Sequence, residues 1–208
     1  MTNTMDLFTF WGSFPPDATI HPQDEVFFKS NIKHDFKTSH RPPGPWDGPL
    51  MKAKVVICYA NPKYDPDDAG RRELITRQMS GREDLPDCWD DWDTPRINAI
   101  LPISKLRDVV AIFNICPYSS ENMDDKEVRL AAGLPSVWAA QKHLREVLIP
   151  RAISGEIFLV VARKHQLWGV IEGCETKTFK LTRNRGGYFP SLGPEIENWL
   201  REKHGIQR

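Results

Sequence analysis

The amino-acid sequence predicts an α/β fold: a three-layer sandwich whose helices cover a short, mostly parallel central sheet of about four strands. With 208 residues the chain is long enough to bury a core of its own. Apolar β-branched runs alternate along it with segments in which apolar residues recur at helical spacing. Strands that alternate with helices need crossover connections, and these make neighbouring strands parallel. We expect a single domain over residues 1–208, with its core in residues 51–208.

Four segments have the composition of strands, namely residues 54–60, 109–116, 156–162 and, more weakly, 177–182. The first three are continuous apolar runs rich in valine and isoleucine, which is typical of strands covered on both faces. Pro62 and Pro117 follow the first two runs and end them, because proline cannot donate to a sheet ladder.

Helices are predicted at residues 66–79, 124–132, 136–148 and 193–204. The third is expected to begin with Ser136 as its N-cap and to turn four apolar side chains inward, those of Trp138, Leu144, Val147 and Leu148. The last opens with Gly-Pro-Glu and is expected to bury Ile196, Trp199 and Leu200 before it ends at Gly205.

The first fifty residues are dominated by aromatic side chains and prolines. They predict an extended arm that packs its aromatic rings onto the core, with a short helix at residues 24–28. Residues 41–49 (RPPGPWDGP) predict a turn-rich entry into the first strand.

Composition limits the class of protein. The 28 basic residues balance the 28 acidic ones, so net charge favours no partner. The four cysteines (Cys58, Cys88, Cys116 and Cys174) form no CxxC pair and no zinc-type spacing, which predicts reduced thiols and neither a metal nor a cofactor. No signal-like or membrane-spanning apolar run occurs, so we expect a cytoplasmic protein without a membrane partner.

Polar residues follow each predicted strand, and in parallel sheets ligands bind beyond these carboxyl ends. They are amides, aromatic rings and cations: Asn61, Lys63, Tyr64, Asn114, Tyr118, Arg163, Lys164, His165, Arg183, Asn184 and Arg185. The set contains neither a Ser/His/Asp arrangement nor a glycine-rich phosphate loop. It predicts a pocket for a planar, hydrogen-bonding group beside a phosphate.

Each of these residues has two readings. Asn61 either orients a water or caps a turn, and Asn114 either pairs with the edge of a base or caps a turn. Tyr64 and Tyr118 either stack on a base or cover the core. His165 serves as a proton donor or as a surface and phosphate contact.

Charge is segregated along the chain. Residues 163–188 contain six basic and two acidic residues, whereas residues 83–93 contain six acids and no base. We expect Lys63, Arg163, Lys164 and the segment containing Arg183, Asn184 and Arg185 to attract the phosphates of a nucleic acid. A solvated surface turn is the alternative for any single cation.

Residues 55–62 (VVICYANP) resemble the first motif of the uracil-DNA glycosylase superfamily, in the Asn-Pro form of its mismatch-specific branch. Residues 110–114 (VAIFN) are similar to the second strand of that family, and residues 158–162 with 167–169 to the third. The resemblance spans residues 52–208 and implies that Asn61 positions the attacking water and that Asn114 reads the base. Lys63 replaces the glycine usual after Asn-Pro, and residues 182–188 (TRNRGGY) replace the usual His-Pro-Ser loop.

The leading hypothesis is therefore a DNA-repair N-glycosylase that flips out and excises a damaged or modified base. Asn61 would hold the water, Asn114 the base, and His165 or Arg183 would help the leaving group. An Asn61→Asp variant is expected to work at least as well, because a carboxylate is the stronger acceptor. The alternatives are a non-catalytic nucleic-acid or nucleotide-binding protein on the same fold and a small-molecule hydrolase that uses the same cleft.

Overall fold

The computed structural model describes residues 6–30, 33–39, 41–64, 96–97, 100–106, 108–183 and 191–207. The predicted helix at residues 66–79 and the acidic segment 83–93 lie outside these ranges, as do Asn184 and Arg185. Within them the chain has a mixed α/β fold with a five-stranded, mostly parallel sheet.

The strands are β1 (Trp46–Asp47), β2 (Val55–Tyr59), β3 (Val110–Asn114), β4 (Phe158–Val161) and β5 (Phe179–Leu181). The sheet has the strand order β1-β3-β2-β4-β5. Strands β2 to β5 are parallel, and only β1 is antiparallel, to β3. The predicted strands are confirmed in slightly shorter form, and β1 is an addition that the sequence did not predict.

Both faces of the central strands are buried. All residues of β2, β3 and β4 are buried, and alternate residues along each strand belong to two separate apolar clusters. Val56 and Cys58 lie in one cluster, while Val55 and Ile57 lie in the other. This arrangement explains why the strands are continuous apolar runs rather than alternating ones.

Helices account for much of the remaining described chain: α1 (Leu7–Gly12), α2 (Glu25–Phe28), α3 (Ile103–Leu106), α4 (Asp125–Gly133), α5 (Pro135–His143), α6 (Ile149–Ile153), α7 (His165–Trp168) and α8 (Gly193–His204). A π-helical turn, Leu144–Leu148, joins α5 to α6. The predictions for α2, α4 and α8 are confirmed to within a residue at each end. Ile196, Trp199 and Leu200 of α8 are buried as expected, and Gly205 ends the helix at φ +67°.

The start of α5 differs from the prediction. Leu134 is its N-cap and Pro135 its first residue, where the fixed φ of proline suits a helix. Ser136 lies inside the first turn, and its N–H donates to the Asp24 carboxylate at 3.0 Å. A side chain more than a hundred residues away in sequence therefore supplies the cap that was expected from Ser136.

The inward face of this helix also differs from the prediction. Leu144 and Leu148 are buried, but Trp138 is 55% exposed and Val147 is 37% exposed. The π-helical turn closes with a bond from the Ile149 N–H to the Leu144 carbonyl, which is wider than an α-helical turn. The wider turn changes the angular spacing of its own residues, Val147 among them, from that of an α-helix. Trp138 lies before the turn, and its indole N–H donates to the Ala132 carbonyl at 2.8 Å.

The N-terminal residues are not simply extended, because they form α1 and α2. Aromatic side chains from this segment, among them Phe10, Trp11 and Phe14, lie in the same buried cluster as one face of the sheet. Asp24 is fully buried, and its carboxylate accepts hydrogen bonds from the Tyr118 hydroxyl and the Ser136 N–H. Burial raises the pKa of Asp24, although these two bonds oppose the shift.

The described cysteines are free thiols, and Cys58 and Cys116 are buried. Burial raises the pKa of both of these thiols. Among the described helices, none is long and apolar enough to cross a bilayer.

Candidate functional site

A cleft lies at the carboxyl ends of β2, β3 and β4. The first parallel strand along the chain, β2, lies in the middle of the sheet. The second, β3, pairs with one edge of β2, and the third, β4, pairs with its other edge, so the direction in which strands are added reverses at β2. In doubly wound sheets the crevice at such a reversal is where ligands bind. The cleft has a volume of about 470 Å³ and is lined by residues 59–63, residues 120–124 and Arg163. We call it the main cleft.

Asn61 lines the main cleft, and its side-chain amide has a defined orientation. Nδ2 donates to Ser120 Oγ at 2.9 Å, to the Pro62 carbonyl at 3.2 Å and to the Tyr118 carbonyl at 3.4 Å. The two carbonyls can only accept, so the NH₂ group must point toward them. Oδ1 is consequently the atom of Asn61 that remains for a ligand or a water.

The loop that carries Asn61 is held on both sides. Beyond the strands, the N–H groups of Ile115 and Cys116 donate to the Tyr59 and Ala60 carbonyls, at 3.1 and 2.9 Å. Lys63 then pairs with Ser120 in a parallel bridge. The ladder between the first two parallel strands therefore continues to the cleft and fixes Asn61 opposite Ser120.

Residues 41–47, which we call the strap, lie behind this loop. Arg41 Nη1 donates to the Lys63 carbonyl at 3.1 Å, and the Gly44 N–H donates to the Pro117 carbonyl at 2.7 Å. A Cβ at Gly44 would lie 3.1 Å from Pro62 Cγ, closer than most such contacts. The strap thus fits closely against the Asn-Pro turn, and a side chain at residue 44 would require Pro62 or the strap to shift by a few tenths of an ångström.

Asn114 is a correction to the sequence prediction. It is 3% exposed, its Nδ2 donates to the Gly44 carbonyl at 3.0 Å, and its N–H donates to the Pro45 carbonyl at 2.9 Å. It lies at the same sheet edge as Asn61, because it pairs with Tyr59 in the parallel register. It does not line the main cleft, and its amide holds the strap rather than facing a ligand there.

Tyr118 is a second correction. Its ring is 2% exposed, its hydroxyl donates to the Asp24 carboxylate at 2.6 Å, and it accepts the His21 N–H at 3.1 Å. Burial, followed by the charge of Asp24, raises the pKa of Tyr118. The ring covers the core, packs edge-on against Phe28 and fastens the N-terminal segment, so its faces are not open to a base.

Tyr64 is half-buried and does not line the main cleft. The ammonium group of Lys37 lies 5.2 Å from the centre of its ring and 3.6 Å from the Glu121 carboxylate. One face of the ring therefore holds a cation.

His165 lines a second cleft of about 310 Å³, formed by residues 162–166 with Thr182 and Arg183. Its Nε2 lies 3.0 Å from the Val161 carbonyl and 2.9 Å from the Thr182 carbonyl. Both partners only accept, so Nε2 carries the proton and ties the end of β4 to the end of β5. The geometry gives this ring a structural role and does not support His165 as a catalytic proton donor.

The cations predicted to bind phosphates surround the two clefts. Lys63 and Arg163 are exposed at the main cleft, and Arg163 is shared with the second cleft. Lys164 has φ +53°, the only positive φ among the described non-glycine residues, and it lines the second cleft. Arg183 is exposed and lies 2.6 Å from the Glu172 carboxylate.

Residues 120–124 form a wall of the main cleft that was not predicted from the sequence. Glu121 and Asp124 bring two carboxylates to the main cleft. Asp124 is the N-cap of α4, and its Oδ1 accepts the Lys126 N–H at 2.9 Å. Hydrogen bonds, first with the Glu127 side chain and then with the Lys126 N–H, lower the pKa of Asp124. The signal was present, since these residues follow the second strand, but their composition is also that of an ordinary helix start.

Within the described ranges, no group of three or more His, Cys, Asp or Glu side chains could hold a metal ion. Comparison of the chain with protein-family models, with curated proteins and with solved structures found no match.

Proposed function

We propose that this chain is a cytoplasmic DNA-glycosylase-like hydrolase that flips out a damaged or modified base and cleaves its bond to the sugar. The proposed fold is a three-layer sandwich with an N-terminal arm. The sandwich would be of the type found in the uracil-DNA glycosylase superfamily, whose first motif residues 55–62 resemble. One observation carries it. The amide of Asn61 is oriented by two carbonyls and Ser120, which leaves Oδ1 as an acceptor in the main cleft.

The chemistry needs a positioned water. A base in a stacked duplex is inaccessible, so it must be flipped into the cleft before reaction. Oδ1 of Asn61 accepts a hydrogen bond from the water and fixes its line of approach to the sugar carbon. The sugar becomes cation-like as the bond breaks, and the carboxylates of Glu121 and Asp124 favour that charge.

The leaving base takes up negative charge, and exposed cations at the same cleft can stabilise it. Lys63 and Arg163 are the candidates, since His165 is held by two carbonyls. The same cations, with Lys164 and Arg183 at the second cleft, supply the charge that a nucleic-acid strand needs for its phosphates. A small-molecule hydrolase would not need this basic approach.

A non-catalytic nucleic-acid-binding protein is the second candidate, and one observation favours it. Asn114, Tyr118 and His165, three residues expected in the chemistry or in base binding, are committed to bonds within the protein. Lys63, Arg163 and Arg183 remain exposed at the rims of the clefts. A chain with this pattern can bind a strand without cleaving it.

Release of free base from a panel of oligonucleotides, each with one modified base, separates the two. The enzyme proposal expects release of at least one base by the wild type and strongly reduced release by Asn61→Ala. If no base is released, and binding to the same oligonucleotides weakens steeply with salt, the binding protein is the better description.

A further inference from the structure

The second cleft, at the carboxyl ends of β4 and β5, carries an excess of positive charge that the main cleft does not. We infer that it binds one phosphate group, and that this phosphate belongs to the strand whose flipped base occupies the main cleft. The placement of the strand rests on the proposed function, whereas the charge of the cleft does not.

The two clefts differ in their balance of charge. Two cations and two carboxylates line the main cleft, so its lining carries no net charge. Three cations line the second cleft, namely Arg163, Lys164 and Arg183, and no acidic residue does so among those that the structure describes. Glu172 lies 2.6 Å from Arg183, and both side chains are largely exposed. With this carboxylate counted against the three cations, an excess of two positive charges remains at the second cleft.

The donors of the second cleft are available to a ligand. Within the described chain, neither Arg163 nor Lys164 forms an ion pair. The Gln166 amide and the Thr182 hydroxyl can also donate, and neither forms a side-chain hydrogen bond with another described residue. The Nε2 proton of His165 does not take part, because two carbonyls hold it. A phosphodiester only accepts, and its bonds to charged donors are about twice as strong as those between neutral groups.

The lining also indicates what kind of ligand fits. No Phe, Tyr or Trp is among the described residues that line the second cleft, so it offers no ring on which a base could stack. Its volume of about 310 Å³ is that of a small pocket. Arg163 lines both clefts, so the two adjoin at its side chain. A nucleotide chain supplies the combination that such a pair of sites needs, a base with a phosphate beside it.

Lys164 occupies a backbone position that glycine would occupy at lower cost. Its φ of +53° and ψ of +48° are left-handed, a conformation that side chains disfavour. This conformation turns the chain from the end of β4 into α7, so the turn is needed for the fold but the lysine side chain is not. Stability and phosphate binding should therefore respond differently to a change of this residue.

Equilibrium binding of a fluorescein-labelled, single-stranded oligothymidine of about eight nucleotides to the full chain, followed by anisotropy, tests this inference. Lys164→Gln keeps a long polar side chain and removes the charge. It is expected to raise the dissociation constant at least about fivefold and to reduce the slope of log affinity against log salt by about 0.7. Inorganic phosphate is expected to displace the strand from the wild type better than chloride does at equal ionic strength, and to lose most of this advantage in the variant.

Two further variants serve as controls. Lys177→Gln removes an exposed lysine that precedes β5, at the opposite edge of the sheet from the second cleft, and is expected to change the affinity little. Lys164→Gly separates binding from folding. It is expected to be at least as stable as the wild type in urea, because glycine adopts a left-handed conformation without steric cost, and to bind the strand as weakly as Lys164→Gln.

Wild-type affinity in Lys164→Gln would overturn the inference, and so would an equal loss in Lys177→Gln, since only the overall charge would then matter. Phosphate that competes no better than chloride would also overturn it. Calorimetry with inorganic phosphate covers a chain that binds no strand. Binding of phosphate that depends on Lys164, without binding of a strand or release of a base, would assign the cleft to a free phosphate or phosphomonoester and overturn both the strand placement and the proposed function. Base release with unchanged affinity in Lys164→Gln would keep the enzyme and remove this site.

Discussion

At the scale of the residue, Asn61 shows how the partners of a side chain limit its chemistry. An isolated asparagine offers a donor and an acceptor, and its type alone does not say which one a ligand meets. Here two carbonyls and Ser120 take the donor, so only the acceptor remains. The role that we propose for Asn61 follows from this orientation.

The orientation reverses the sequence-based expectation for Asn61→Asp. A carboxylate oxygen in place of Nδ2 would face the Pro62 and Tyr118 carbonyls at 3.2 to 3.4 Å and could donate to neither. We expect Asn61→Asp to lower the free energy of unfolding by about 1–3 kcal/mol at neutral pH and to reduce base release. Urea unfolding checks the first effect, and a variant as stable as the wild type would show that the amide is not held as described.

Cations at the clefts should differ in their effect on nucleic-acid binding. Arg183 has a carboxylate partner at 2.6 Å, whereas Arg163 forms no ion pair among the residues that the structure describes. We expect Arg163→Gln to weaken oligonucleotide binding and to reduce the slope of log affinity against log salt by about 1. Arg183→Gln should change both less, because Glu172 already neutralises part of its charge. Equal effects of the two variants would contradict this assignment.

Residue type and position at a strand end predicted that Asn61, Asn114 and His165 would lie at one edge of the sheet. They could not predict which way each side chain turns. Asn114 is drawn to the strap by the Gly44 carbonyl, and His165 bridges two strand ends. The Gly44 carbonyl lies 70 residues from Asn114, and the Thr182 carbonyl lies 17 residues from His165. No local pattern reveals these two partners, whereas Val161 lies only four residues before His165.

At the scale of the element, the strap of residues 41–47 joins the N-terminal segment to the site. It adds β1 to the edge of the sheet and supports the Asn-Pro turn through Arg41 and Gly44. Its prolines predicted only a turn-rich entry. Pairing of a two-residue strand depends on the strand it meets, which explains why β1 was missed while the longer strands were found.

Gly44→Ala tests the contact between the strap and the turn. The added methyl group would lie 3.1 Å from Pro62 Cγ and 3.3 Å from Arg41 Nη2, so one of them must move. We expect a loss of about 1–2 kcal/mol in the free energy of unfolding and a shift of the turn that carries Asn61. Gly12→Ala is the control, because nothing lies within 4 Å of its Cβ and alanine favours a helix. Equal stability of the two variants in urea would show that the strap does not press on the turn.

At the scale of the whole molecule, apolar clusters on both faces of the sheet hold buried ionisable groups. His143 is 8% exposed and lies edge-on to the rings of Phe8 and Phe113. Burial, and next the charge of Arg151, lower the pKa of His143 from 6.5 to about 4. The folded state therefore favours the neutral ring.

This shift predicts acid-sensitive stability. As the pH falls from 6.5 toward 4, the unfolded chain takes up a proton that the folded chain refuses, so the free energy of unfolding falls. The part due to His143 amounts to about 3 kcal/mol across this window. Between pH 7.5 and 5 the His143 part amounts to about 2 kcal/mol. His143→Gln should remove it in urea titrations at these two pH values, and the lowered pKa of His21 should leave a smaller slope. An unchanged slope would mean that His143 is not desolvated.

The central claim is that Asn61 positions the water that cleaves the bond between base and sugar. The most direct test is the single-turnover rate of base release on an oligonucleotide that the wild type cleaves, with the dissociation constant measured beside it. Asn61→Ala is expected to lower the rate by about 100-fold while the dissociation constant stays within about threefold. Asn198→Ala on α8 is expected to change neither, because Asn198 is exposed and its Oδ1 accepts from Arg201 alone among the residues that the structure describes. An Asn61→Ala variant that releases base as fast as the wild type, or that loses only affinity, would contradict the claim.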